Sequence, residues 1–157
     1  MPGLFLEGAA KPLLVFHALA AFAGVGSCTH LVLVCLRVAG RGTDPSRLVR
    51  VYAQVVGATF AAAFALGLCM YPHYRYQVRG LYLDRYAPWA SNLFDVKEIL
   101  AGLGLPLSMA LFFVGRRFDA REQPELTPYL TILACGVWSV VVAAAVSGLL
   151  VTSVRGV

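Results

Sequence analysis

Four apolar stretches, at residues 13–36, 48–71, 96–115 and 129–151, constrain this chain more than any other feature. Each is close to the ~20 residues an α-helix needs to cross ~30 Å of hydrocarbon. A soluble helical bundle would carry charge on its outer faces. Here only 13% of 157 residues are charged and 59% are hydrophobic, so lipid is the natural solvent. The expected fold is all-α, an integral membrane four-helix bundle. Connections this short make consecutive helices antiparallel, which gives an up-down-up-down order. The spans use up most of the chain and predict a single transmembrane domain over residues 1–157.

The first stretch exceeds a typical signal-peptide core and leads into Arg37, Arg41, Arg47 and Arg50 instead of a small-residue cleavage site, so it reads as a retained helix. The four cysteines, Cys28, Cys35, Cys69 and Cys135, fall inside spans with no paired-ligand spacing. That placement suits buried small hydrophobes better than a disulfide framework or a zinc site.

Start signals agree with the spans. Pro12 suits the first turn of helix 1; Asp44-Pro45 and Thr127-Pro128 read as caps followed by first-turn prolines for helices 2 and 4. Asp95 and Glu98 have the spacing of a capping box for helix 3. Pro106, well inside helix 3, predicts a kink. Seven arginines (37, 41, 47, 50, 116, 117 and 121) flank the connections after helices 1 and 3, and Lys11, Arg75, Arg79, Arg85, Lys97 and Arg155 lie toward the other side. Four arginines crowd the short first connection, which places both termini on the non-cytoplasmic side. The net charge of +5 is then juxtamembrane charge facing anionic lipid, and a nucleic-acid partner is not expected.

The segment between helices 2 and 3, residues 72–94, is long and rich in aromatic residues. Read as a helix, it places Tyr74, Val78, Leu81 and Tyr82 on one face and Arg75 and Arg79 on another. This predicts a short interfacial segment capping one mouth of the bundle; an aromatic belt that only anchors the protein is the other reading.

Polar groups within spans are costly and therefore informative. Antiparallel threading brings His17, Met70, His73, Lys97 and Glu98 to one membrane side, whereas His30 lies about 20 Å further along helix 1 and some 140° around it. A b-type haem in a bundle needs inward-facing imidazole or thioether donors and cations near its propionates. His17 with His73 or Met70 could supply the donors, and Lys97, Arg75 and Arg79 the cations. Small residues on the His17 face (Ala21, Gly24, Cys28, Cys35) would admit a flat cofactor or a close-packed helix. The structural alternatives are a hydrogen-bonded core histidine at 17, interfacial residues at 73, 97 and 98, and a packing role for His30. Helices 2 and 4 lack ionisable groups at depth, which argues against a pump or channel.

The layout resembles the HemJ and CopD group of small bacterial membrane proteins. The matching residues are His17 in Val-Phe-His-Ala-Leu, His30 in Cys-Thr-His-Leu-Val, the Arg47-Leu-Val-Arg-Val-Tyr52 entry to helix 2, and Lys97 in Phe-Asp-Val-Lys-Glu. The resemblance implies a bacterial inner-membrane location, haem binding and porphyrin oxidation, with His17 and Lys97 inheriting those roles; the aromatic residues 72–94 have no counterpart in that pattern. The expectation is a haem-associated, cytochrome b-like electron-transfer or haem-handling subunit, with quinone or porphyrin as small-molecule partners. The alternative is a cofactor-free accessory subunit packed against other membrane subunits or a second copy.

Overall fold

This computed structural model describes residues 6–41 and 46–156. Every regular element among them is helical. A 3-10 turn at Glu7–Ala9 leads into α1 (Ala10–Arg41), which is followed by α2 (Ser46–His73), α3 (Pro88–Gly115) and α4 (Leu126–Val154). All four are long and apolar enough to cross a membrane. Large apolar side chains point outwards from each: Phe22 is 65% exposed, Leu68 59%, Ile99 63% and Ile132 70%. A water-soluble bundle would bury these side chains, whereas a lipid-facing one exposes them.

The interior is correspondingly lean. Cys28, Leu31 and Cys35 of α1 pack with Val49, Ala53 and Val56 of α2, Leu111 of α3, and Ala134 and Val137 of α4. Each helix contacts two others extensively, in the ring α1–α2–α3–α4–α1. Glycine sets the closest approaches. A Cβ on Gly57 would meet Phe112 at 2.8 Å, one on Gly104 would run into Phe60, and one on Gly115 would run into Ala53. Small residues let helix backbones approach where hydrophobic driving force is absent. Gly24 meets Thr59 while Gly67 meets His17, and Gly104 meets Val140 while Gly148 meets Lys97.

The end formed by the 116–125 connection is tied down by polar contacts. Arg50 Nη1 donates to the Phe118 carbonyl (3.1 Å) and lies 3.7 Å from Asp119, and the Ala120 N–H donates to Ser46 Oγ (2.8 Å). Ser46 is 2% exposed, and Ser46→Ala leaves the amide without this acceptor. Because the Ala120 amide is only partly buried and water can replace the acceptor, we expect a loss of up to about 1 kcal/mol, read as a lower midpoint in mixed-micelle unfolding.

Several boundary expectations are corrected. Helix α3 starts at Pro88, in the first-turn position, not near residue 96. Asp95 is therefore mid-helix and caps nothing, and Lys97 and Glu98 lie well past the first turn. Helix α4 has Glu125 at its N-cap position with no side-chain cap, so Thr127 is not the cap, although Pro128 is in the first turn. Pro12 falls in the first turn of α1. Asp44-Pro45 lies outside the described residues.

Residues 72–94 do not form a separate interfacial loop. Helix α2 runs straight into a π-helical stretch, Tyr74–Leu83, and a final turn, Asp84–Tyr86. The chain reverses at Ala87 (φ −147°, ψ 63°). The π register changes which side chains face inward: Val78 and Leu83, five residues apart, are buried, while Leu81 is 43% exposed. Tyr74, Val78 and Tyr82 share the packed face expected from α-helical spacing; Leu81 departs from it, because i→i+5 hydrogen bonding moves the next inward position from Val78 to Leu83.

Candidate functional site

Where the N-terminal halves of α1 and α3 meet the C-terminal halves of α2 and α4, a cavity of about 60 Å³ remains. Leu14 and His17 of α1 line it, with Gly67 and Met70 of α2, Lys97 of α3 and Thr152 of α4. Tyr71, Tyr74 and Phe94 close it on the side of the π-helical segment. The cavity exists because Gly67 and Gly148 stand opposite the two polar side chains. A Cβ on Gly67 would lie 3.4 Å from His17 Cε1, and one on Gly148 would lie 3.4 Å from Lys97 Nζ.

His17 Nδ1 lies 2.8 Å from the Ala63 carbonyl oxygen. A carbonyl only accepts, so the proton of a neutral imidazole sits on Nδ1 and the lone pair on Nε2. The bond fixes the tautomer and the orientation of the ring and leaves Nε2 as its acceptor. Met70 is 8% exposed and adds a thioether to the same wall.

Of the six residues expected at a cofactor site, His17, Met70 and Lys97 share the cavity; His73, Arg75 and Arg79 do not line it. His73 Nδ1 is buried without a hydrogen-bond partner. Arg75 is exposed and donates to Tyr71 Oη (2.6 Å). Arg79 is claimed by carboxylates. It makes a two-pronged pair with Asp95 (2.5 and 2.8 Å), and Asp84 and Glu98 lie 3.7 and 3.9 Å away. Ser91 Oγ donates to Asp84, and Tyr74 stacks on Phe94 with centroids 4.6 Å apart. The cluster fastens the π-helical segment to α3. Sequence reasoning offered Arg79 to a propionate and Asp95 to a helix cap; the two neutralise each other instead. His30 lies far from the cavity and stacks on Tyr52 (4.6 Å, 21°).

A haem fits the donor chemistry of this site but not its present volume. An imidazole of fixed tautomer, a thioether and an ammonium converge, yet 60 Å³ is about two waters' share of liquid volume and several-fold below an ordinary cofactor pocket of ~300 Å³ or more. Among the described residues no group of three or more His, Cys, Asp or Glu side chains is arranged to hold a metal ion. No family model, curated protein or solved structure matches the chain.

Proposed function

We propose that the chain is a four-pass, up-down-up-down protein of the bacterial inner membrane, with both termini on the non-cytoplasmic side. We propose further that it acts as a haem-handling or cytochrome b-like electron-transfer subunit. The observation that carries the reading is the His17 Nδ1 to Ala63 carbonyl bond, which commits Nε2 to the role of a lone-pair donor beside Met70 and Lys97. Haem bound there would supply a one-electron carrier. His17 and Met70 would hold it from α1 and α2, and Lys97 would attract its carboxylates. A quinone or porphyrin from the bilayer is the matching class of small-molecule partner.

The test is reconstitution of the purified protein with haem b, followed by pyridine haemochrome quantitation. Stoichiometric uptake is expected in the wild type, with His17→Ala reducing affinity by about 100-fold or more and Met70→Leu by less. Equal uptake by wild type and His17→Ala, or none by either, overturns the assignment.

A specific observation favours a second reading: the packed bundle leaves only about 60 Å³, which suits a cofactor-free accessory subunit. On that reading His17 is a hydrogen-bonded core histidine, and the outward apolar faces meet other membrane subunits or a second copy. Copurification of a stoichiometric partner with both wild type and His17→Ala would support it.

A further inference from the structure

The polar inventory of the cavity is lopsided. Lys97 brings an ammonium, and Tyr71 and Tyr74 bring phenols, into an otherwise largely apolar wall. No ion-pair partner lies within 4 Å of Lys97 Nζ among the described residues. The carboxylates at this end have gathered elsewhere: Asp95, Asp84 and Glu98 all lie within 4 Å of Arg79. Tyr74 Oη is buried and has no hydrogen-bond partner. Tyr71 Oη accepts from Arg75, which leaves its own proton to donate. The acceptors on the wall, His17 Nε2 (since Nδ1 is spent on Ala63) and the hydroxyl oxygens of Thr152 and the tyrosines, are all uncharged.

A cation with no ion-pair partner within 4 Å, Glu98 acting on it only from further away, is expensive inside a membrane span and marks a functional site, and a buried donor without a partner calls for a ligand or ordered water. Both deficits are met by the same object, a negatively charged acceptor. The position of the cavity narrows its source. The rim residue Thr152 is exposed on α4, and next to the lining residues along the chain stand outward apolar side chains, Val15 and Phe16 on α1 and Leu149 and Leu150 on α4. These side chains make the rim apolar, which favours a ligand carrying an apolar tail over a small hydrated anion. Space for about two waters admits a carboxylate but not a glycerophosphate headgroup.

We propose that this cavity takes the carboxylate of a long-chain fatty acid from the surrounding leaflet, with Lys97 Nζ as its counter-cation and Tyr74 Oη as a hydrogen-bond donor. The site shares the cavity and Lys97 with the haem reading but uses neither His17 Nε2 nor Met70 Sδ as an iron ligand, so palmitate binding to the haem-free protein and haem uptake are separate readouts.

The experiment is equilibrium binding of radiolabelled palmitate to the haem-free, full-length protein in a non-ionic detergent, with methyl palmitate and sodium acetate as competitors. Saturable 1:1 binding is expected, with at least about tenfold weaker affinity for Lys97→Met and a several-fold loss for Tyr74→Phe, as for hydrogen bonds to a charged group. His30→Ala, away from the cavity where His30 stacks on Tyr52, is expected to retain palmitate binding within about threefold. Methyl palmitate competing as well as palmitate overturns the proposal, because the carboxylate is then unread. Acetate competing at equal concentration overturns the amphiphile and leaves a simple anion site. Unchanged affinity in both Lys97→Met and Tyr74→Phe, each with a wild-type unfolding midpoint, also overturns it.

Discussion

Gly104→Leu is expected to cost about 3 kcal/mol or more and to leave little folded protein in detergent. Gly104 lies where α3 crosses α2 and α4. A Cβ there would run into the Phe60 ring and reach Val140 Cγ1 at 3.0 Å, and a branched side chain adds further atoms to space already full. Phe60 has little room to retreat, since it packs against the buried core shared by α1, α2 and α4. The control lies two residues away. Gly102 is exposed with nothing within 4 Å of a built Cβ, so Gly102→Leu should be neutral within about 0.5 kcal/mol or slightly stabilising through helix propensity. Mixed-micelle unfolding of the pair checks the contrast; equal midpoints would show that the α2–α3–α4 crossing is not as close as described.

Arg79→Ala is expected to destabilise the protein by about 2 kcal/mol and to loosen the π-helical segment. The Arg79 side chain is 18% exposed and faces three carboxylates. Removing it strands like charges beside one another, and breaking a buried pair costs about 3–5 kcal/mol. The Asp95 side chain is 45% exposed, so water screens part of that loss, which sets the lower figure. Hydrogen exchange should rise over residues 74–87 before it rises elsewhere. Arg75→Ala, which removes a surface contact to Tyr71, should change stability by less than about 0.5 kcal/mol. If the two variants behave alike, the carboxylate cluster does not hold the segment in place.

These two sites also show what could be read from the residues alone. Four spans follow from unbroken apolar runs, because a lipid-facing helix needs no periodicity and only length decides the matter. The gathering of His17, Met70 and Lys97 follows from helix ends alternating between two sides, which is why those three share one cavity. Arg79 was misassigned because sequence distance hides its partner: Asp95 is sixteen residues away and looked like a cap only because Glu98 follows at capping-box spacing. The real start of α3 was signalled by Pro88, but Trp89 to Asp95 is too polar and aromatic to be counted within an apolar run. The π register of Tyr74–Leu83 has no distinctive residue pattern, so α-helical spacing turns Leu81 inward, where Leu83 is buried instead. The Ala63 carbonyl that orients His17 was likewise invisible, since a backbone acceptor leaves no trace in residue identity.

The account rests on the alternation of helices that gathers the polar groups at one side. The most direct measurement is labelling with a membrane-impermeant maleimide in intact cells, using Arg75→Cys, Arg117→Cys and Arg155→Cys in a background lacking Cys28, Cys35, Cys69 and Cys135. Positions 75 and 155 should label from outside, and position 117 only after the membrane is opened. Labelling of 75 and 117 from the same side would contradict the threading, and with it the cavity around His17 and Lys97.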